Sequence, residues 1–317
     1  MNFNVFVFAV LFWTVVFSSC SKSDNPTPKP ATPVIMDTLG AGWTKVNGAG
    51  GFDIFFANNN IGYTCGGSLH KSVNGGLTWS FTSLLGNFRN CFVTADNKAF
   101  FAIDGSPVIK TLDGGSTFIT IPALEHVTDF FFLDNNTGFA ISTFSVLYQT
   151  VDGGVNWTPV PATGFEVSDA YASLTFASAA KGWIVSDSGL YRSTTTINTW
   201  VPSIINGGAY RNFSSIYSIS PTIIFASNSK GEIYKSTDGG INFNYQITLP
   251  TANFTDLHFI NDQVGYASNG HYLFKTVNGG NTWIKELTTS FIICEIHFTD
   301  ATHGWACGIH NILIFKP

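Results

Sequence analysis

Two hydrophobic phrases alternate along most of the chain, and their spacing predicts the architecture. The first is a short apolar strand, a polar turn, then Gly followed by an aromatic: FFANNNIGYTCGG, FFLDNNTGFAIS, LTFASAAKGWIVS, LHFINDQVGYASN and IHFTDATHGWACG. The second is a nine-residue phrase: KSVNGGLTW (71 to 79), KTLDGGSTF (110 to 118), QTVDGGVNW (149 to 157), KSTDGGINF (235 to 243) and KTVNGGNTW (275 to 283), with a degenerate copy, RSTTTINTW, at 192 to 200. FVTADNKAFFAIDG and YSISPTIIFASNS keep the spacing of the first phrase without its Gly, which makes seven units. A repeat of roughly 37 to 44 residues with four apolar stretches is the length of a propeller blade, strands A to D outward from the axis. The seventh unit stops at ILIFKP with no fourth strand, while GAGWTKV (40 to 46) reads as a fourth strand with no unit before it. Trp43 and its neighbours are therefore expected to pair with strand C at 312 to 316, closing the ring and covering an otherwise open sheet edge.

Composition agrees with an all-β chain. Of 317 residues 44% are hydrophobic and 15% aromatic but only 11% charged, with 31 Gly and 12 Pro, which excludes disorder and helical arrays. A net charge of -5 and a pI near 5.7 leave no basic stripe for a phosphate backbone, so nucleic acid is excluded as a partner. No cofactor is implied, and the propeller is expected to act as a monomer.

The amino terminus reads differently. Residues 5 to 17, VFVFAVLFWTVVF, form an apolar run of signal-peptide length ending in FSSC. This resembles the lipobox of bacterial lipoproteins, which implies cleavage after residue 19, lipidation of Cys20, and a cell-envelope location on the periplasmic or surface side. The polar, Pro-rich stretch to residue 36 reads as a tether. The expected organisation is 1–19 signal peptide, 20–36 tether and 37–317 propeller.

The repeated (S/T)x(D/N)GGxT(W/F) is the Asp-box turn, and with the GWA or GYA phrase before it the chain resembles the BNR or Asp-box propellers, most closely the family of the photosystem II assembly and stability factor. The resemblance covers residues 41 to 317. It implies a seven-bladed propeller; the family's founding members are scaffolds that hold a membrane protein during assembly, a partner that does not carry over to this chain by resemblance alone. In physical terms the box residues are folding devices. Asp113, Asp152 and Asp238, and Asn74 and Asn278 as amides, accept hydrogen bonds from their own turn, the glycines tolerate positive φ, and Trp79, Phe118, Trp157, Trp200, Phe243 and Trp283 pack on neighbouring strands. Residues Thr195, Thr196 and Ile197 break the pattern, so blade four is expected to turn differently there.

Function is then expected on the opposite face, built from D-to-A and B-to-C connections. Two of only three arginines, Arg89 and Arg211, sit there in matching FRN and YRN contexts beside Phe88 and Tyr210, the composition of an interface hot spot. Glu125, His126, Phe144, Tyr171 and His310 complete the candidate binding face for a protein or a glycan; a glycan would want a ring of exposed aromatics from Phe88, Phe144, Tyr171 and Tyr210. The enzymatic alternative is a sialidase-like or xyloglucanase-like glycosidase. It lacks an arginine triad, because Arg192 lies on a box strand, and it lacks a marked carboxylate pair among Asp104, Glu125, Glu166 and Asp169. No metal set is nominated: Cys65, Cys91, Cys294 and Cys307 have no CxxC spacing, although Cys65 and Cys307 share a repeat slot that would allow a disulfide. His258 and His297 share a slot on the innermost strand, each expected to face a blade contact without sharing one gap.

Overall fold

A computed structural model describes residues 36–94, 98–165, 173–208, 212–250 and 256–317. The expectations for residues 1–35, Cys20 included, and for Tyr171, Tyr210 and Arg211 lie outside the described residues. The strands begin with β1 (Trp43–Asn47). Blade one is β2 (Asp53–Phe56), β3 (Gly62–Cys65), β4 (Ser68–Ser72) and β5 (Ser80–Leu85); blade two is β6 (Phe88–Val93), β7 (Ala99–Ile103), β8 (Pro107–Thr111) and β9 (Ile119–Glu125). Blade three is β10 (Val127–Phe132), β11 (Gly138–Ser142), β12 (Leu147–Thr150) and β13 (Thr158–Pro159); blade four is β14 (Ser173–Ser178), β15 (Lys181–Ser186), β16 (Gly189–Ser193) and β17 (Trp200–Pro202). After β18 (Ile204–Asn206), blade five is β19 (Phe213–Ser218), β20 (Ile224–Asn228), β21 (Glu232–Ser236) and β22 (Asn242–Thr248). Blade six is β23 (Leu257–Phe259), β24 (Gly265–Asn269), β25 (Tyr272–Thr276) and β26 (Ile284–Thr288), and blade seven holds β27 (Glu295–Asp300), β28 (His303–Gly308) and β29 (Asn311–Phe315).

These strands form seven sheets, antiparallel throughout except where β18 joins blade five, and the seventh is completed by β1, in the order β1-β29-β28-β27. The closure has the expected register, from Trp43 opposite Phe315 to Asn47 opposite Asn311. Each strand A lies against strand A of the blades on both sides, β27 against β2 included, so the blades ring one axis. Trp43 is buried against Tyr266, Phe298 and Phe315.

The two sequence phrases turn out to be halves of one interlock between blades. Glycine at the start of strand B leaves room for the Phe that ends strand A: a Cβ at Gly62 would lie 2.5 Å from the Phe56 ring. That Phe stacks on the strand B aromatic of the preceding blade, as Phe56 does on Trp305 at 3.6 Å and Phe176 on Phe139 at 3.8 Å. The same strand B aromatic covers the second glycine of the next box. Gly154 has φ of +76°, and a Cβ there would meet Phe100 of blade two at 2.2 Å, so both the turn and the blade contact demand glycine. Each stacked pair adds about 1 kcal/mol beyond its area burial. Polar links follow the same path: Trp305 Nε1 donates to the Gly75 carbonyl at 3.0 Å, and Lys110 Nζ to the Gly154 carbonyl at 2.7 Å.

Within a box the short acid closes its own turn. Asp152 Oδ1 accepts from the Asn156 amide at 2.9 Å and Oδ2 from Asn156 Nδ2 at 2.8 Å, while the Thr150 hydroxyl accepts from the Gly154 amide. Asn74 does the same with Thr78, as do Asp113 with Thr117, Asp238 with Asn242 and Asn278 with Thr282. Blade four departs as expected. Ile197 occupies the second glycine position and packs in the core, and Ser193 hydrogen-bonds to Gly182 and Ala180 instead of to its own turn. The indole of Trp200 still donates to the residue three before it, Ile197, as Trp79 does to Gly76.

The long D-to-A connections are only partly loops. Strand β18, inside the stretch 202 to 213, pairs in parallel with β22 and gives blade five a fifth strand. Thr163 bridges Thr199 in the same manner on blade four, and Phe165 is buried there. The stretch 84 to 90 shrinks to Gly86 and Asn87, because β5 and β6 run almost into each other.

Candidate functional site on the loop face

Strand A carries a repeating alternation that sets the chemistry around the axis. Its second and fourth positions pack between blades. The third position, Phe55, Phe92, Phe131, Thr175, Tyr217, His258 and His297, turns to the axis as a collar of mostly aromatic rings. Ring centroids lie 4.3 Å apart for Phe55 and Phe92, 4.2 Å for Phe55 and His297, and 5.0 Å for Tyr217 and His258. His258 and His297 are themselves 5.3 Å apart, which corrects the expectation that they occupy separate gaps. The axis is narrow enough that one slot in adjacent blades brings the side chains together. Both are held neutral, their pKa values lowered by burial to about 3 and about 4. His297 Nε2 lies 3.0 Å from the Phe56 carbonyl, and His258 Nε2 accepts from the Phe298 amide at 3.3 Å.

Two residues earlier, on the loop-face side of the collar, lies a polar layer that sequence reasoning missed: Asp53, Asn90, Asp129, Ser173, Ser215, Asp256 and Glu295. Its carboxylates staple neighbouring innermost strands. Asp53 Oδ2 accepts from the Cys91 amide at 2.6 Å, Asp129 Oδ2 from Leu174 at 2.9 Å and Asp256 Oδ2 from Ile296 at 3.0 Å. Asn90 Nδ2 reaches Asp129 Oδ1 at 3.1 Å, and Ser215 Oγ reaches Asp256 Oδ1 at 3.0 Å. Burial pushes Asp53 up to about 7 and Asp129 up to about 6, with neighbouring acids adding to the rise. Burial also raises Asp256 and Glu295, whose side chains hydrogen-bond to each other.

Above this layer the loop face joins several predicted residues. Arg89 pairs with Asp104 at 2.8 Å, and Asn87 Nδ2 donates to the same carboxylate at 3.1 Å, holding it below the usual carboxylate range. His126, at the turn into blade three, has φ of +55° and its ring lies 4.7 Å from that of Phe144. The His126 carbonyl accepts from the Thr143 amide at 3.0 Å, which ties the two turns of blade three together. Glu125 ends β9 and is exposed beside them. His310 sits far round the ring on the turn of blade seven, exposed and at φ of +68°. Of the four non-glycine residues with positive φ, His126, Ser145 and His310 lie at these turns, so unusual backbone is concentrated on this face among the described residues.

One candidate is corrected outright. Phe88 is 1% exposed and packs in the core between blades one and two, because strand A of blade two begins at Phe88 and directs the ring inward. It is no part of an exposed aromatic ring. Phe144, at 66%, is. Four apolar side chains not singled out by the sequence share its face: Ile292 and Ile309 of blade seven's entry and turn, and Phe52 and Leu85 flanking blade one. With Phe144 and with Arg89 and Asp104 of blade two, they lie along four consecutive blades, seven to three, interspersed with the exposed Glu125 and His310. Arg192 lies in β16, paired with Trp183 and Val201, away from this arc. A groove of about 390 Å³ opens on the box side between blades three and four, lined by Gln149, Thr158, Pro159, Thr196 and Asn198 among others, with no titratable side chain.

The family model of the photosynthesis system II assembly factor YCF48 matches residues 112–284. The chain belongs to this family. No curated protein matches it. Among solved structures it is similar to YCF48 bound to D1 peptide, at 19% identity and a TM-score of 0.71, covering 90% of this chain and 99% of that one. It is also similar to YCF48 from Cyanidioschyzon merolae, at 20% identity and a TM-score of 0.69, covering 87% and 99%. An ancestral GH74 enzyme matches at 16% identity and a TM-score of 0.64, over 87% of this chain but 45% of that one. These likenesses bear on the fold, a seven-bladed propeller of YCF48 type.

Proposed function

We propose that this family member is a non-catalytic propeller that holds a partner polypeptide on its loop face, along the arc of blades seven, one, two and three. The observation that carries the reading is the arc itself: Phe52, Leu85, Phe144, Ile292 and Ile309 exposed beside the Arg89–Asp104 pair. Exposed apolar side chains beside an arginine suit a protein partner better than a sugar, which wants several stacking rings. The YCF48 structure with a bound D1 peptide supports a polypeptide as the class of ligand. A glycosidase reading finds less support. Of its candidate carboxylates Asp104 is engaged by Arg89 and Asn87, Glu125 is exposed, and Glu166 and Asp169 lie outside the described residues.

A photocrosslinking residue placed at Phe144 or Ile309 is expected to give protein adducts in the producing cell, and one at Val151 or Val277 on the box face is not. Adducts from the box-face positions alone, or capture of polysaccharide only, would overturn the assignment. We further propose that the propeller is carried on a lipid at Cys20 in the bacterial envelope. The apolar run and SSC at 18 to 20 support this reading. Incorporation of labelled fatty acid should disappear in Cys20→Ala; label retained in that variant contradicts it.

A further inference from the structure

The four cysteines of the propeller are scattered through its sequence, yet Cys65, Cys91, Cys294 and Cys307 all lie within electrostatic reach of Asp53. Two of them converge on it. Asp53 opens strand A of blade one and sits directly opposite Cys65, the last residue of strand B. Cys91 enters from strand A of blade two. One donor atom from each of the three side chains lies within 4.8 Å of the others, and the residues are 5%, 0% and 2% exposed.

The Cys65 and Cys91 thiols hydrogen-bond to each other, so the two sulfurs already face one another beside the carboxylate. The Cys91 thiol lies 3.8 Å from the Tyr63 carbonyl, a weak contact for a buried donor. The Asp53 carboxylate is raised chiefly by burial, accepts from the backbone amides of Cys91 and Ile54, and has the like-charged Asp129 and Asp256 as neighbours. A buried carboxylate among acids and thiols is short of positive charge.

We propose that Asp53, Cys65 and Cys91 bind a zinc ion that fastens blade one to blade two. The donor set selects the metal. Two sulfurs are too soft a set for Mg²⁺ or Ca²⁺, and the carboxylate suits borderline Zn²⁺ better than Cu⁺. The Cys91 amide already orients the carboxylate at 2.6 Å, as groups behind metal ligands do. Cys307 lies nearby, its Sγ 3.6 Å from the Gly51 carbonyl, but it is outside the group of three whose donor atoms converge. Binding exchanges protons for metal: Zn²⁺ replaces the protons of both thiols, two H⁺ leave to solvent, and a third leaves from any Asp53 that carries one. No oxidant or reductant is consumed.

The test uses the full chain, reduced and stripped with chelator. Titration with Co²⁺ as a spectroscopic stand-in should give one equivalent of thiolate-to-cobalt charge-transfer absorption, displaced by one equivalent of Zn²⁺. Cys65→Ser and Cys91→Ser should each weaken binding on the order of 100-fold or more, Asp53→Asn at least about 10-fold, and Cys294→Ser should leave it unchanged. Circular dichroism confirms that each variant is folded, and the wild-type absorption stands without any variant. The proposal is overturned if the reduced wild-type chain shows no charge-transfer band. It is equally overturned if the band survives in both serine variants, or if the isolated protein carries a Cys65–Cys91 disulfide in place of metal.

Discussion

A chain lacking residues 37–47 should fail to reach the native ring. The deletion removes the outer strand of blade seven, uncovers the β29 edge from Asn311 to Phe315, and empties the cavity that Trp43 fills among Tyr266, Phe298 and Phe315. Removing the Trp43 side chain alone, in Trp43→Ala, is expected to cost about 3 to 5 kcal/mol, a large share of a typical domain's stability. The deletion adds five residues of ladder hydrogen bonds to that loss. Lys45→Ala should cost under about 1 kcal/mol, since its ion pair with Asp37 at 2.7 Å is partly solvated. Urea unfolding followed by circular dichroism separates these: a midpoint close to wild type for Lys45→Ala, a large drop for Trp43→Ala, and aggregation or no cooperative transition for the deletion. A deletion variant as stable as the parent would mean that β1 does not belong to the sheet.

The second large effect is a stabilisation. Asp129→Asn should make the protein more stable at pH 7.5, measured with chelator present, and the gain should vanish as the pH falls. In the folded chain burial raises Asp129 from 3.8 to about 6. Below 3.8 the acid is protonated folded or unfolded, and the site carries no penalty. Between 3.8 and 6 the unfolded chain releases a proton that the folded chain keeps, so the penalty grows with pH, and above 6 it is complete. The two values differ by an amount worth on the order of 3 kcal/mol, which sets the ceiling of the gain. An amide at 129 still accepts from the Leu174 amide; its NH₂ replaces the oxygen that accepts from Asn90 and Phe130, so Asn90 must flip to present its unpartnered Oδ1, and the Phe130 amide loses its side-chain acceptor, which holds the gain below that ceiling. Equal gains at pH 7.5 and pH 4.5 would show that the effect is packing and not charge.

Much of the fold was legible because the interlock leaves residues at fixed distances. The Phe that ends strand A and the Gly that starts strand B face each other in blades one, three, four, six and seven. Where the glycine is missing its partner is smaller too: Val93 faces Ala99, and Ser218 faces Ile224. The exchange of volume across the pair keeps the blade thickness, and it explains how units two and five could drop the glycine without losing the spacing. The closing strand was legible because a fourth strand without its unit has one place to go.

The site was less legible, for three physical reasons. Asp53, Asp129, Asp256 and Glu295 are acids at the first position of strand A, and only the alignment of DIFF, DFFF, DLHF and EIHF marks them as one layer; taken singly, acids next to a loop read as solvated. Phe88 was placed in a loop because a strand start is ambiguous by a residue or two, and with period two such a slip turns a side chain from solvent to core. The parallel strand β18 pairs with a segment 38 residues away, as Asn206 does with Asn244, which no local pattern announces. Cysteine spacing misled in the same way. Matching repeat slots pointed Cys65 toward Cys307, whereas strand B of one blade also faces strand A of the next and brings Cys65 to Cys91.

Hydrogen exchange at the backbone amides of Trp43 to Asn47 tests the ring most directly, because both the fold and the loop-face arc depend on blade seven standing beside blade one. Protection of these amides equal to that of Ile312 and Ile314, lost from both strands in one step on adding denaturant, is the predicted result. Exchange of residues 43 to 47 at the rate of an unstructured chain, with β29 still protected, would contradict it.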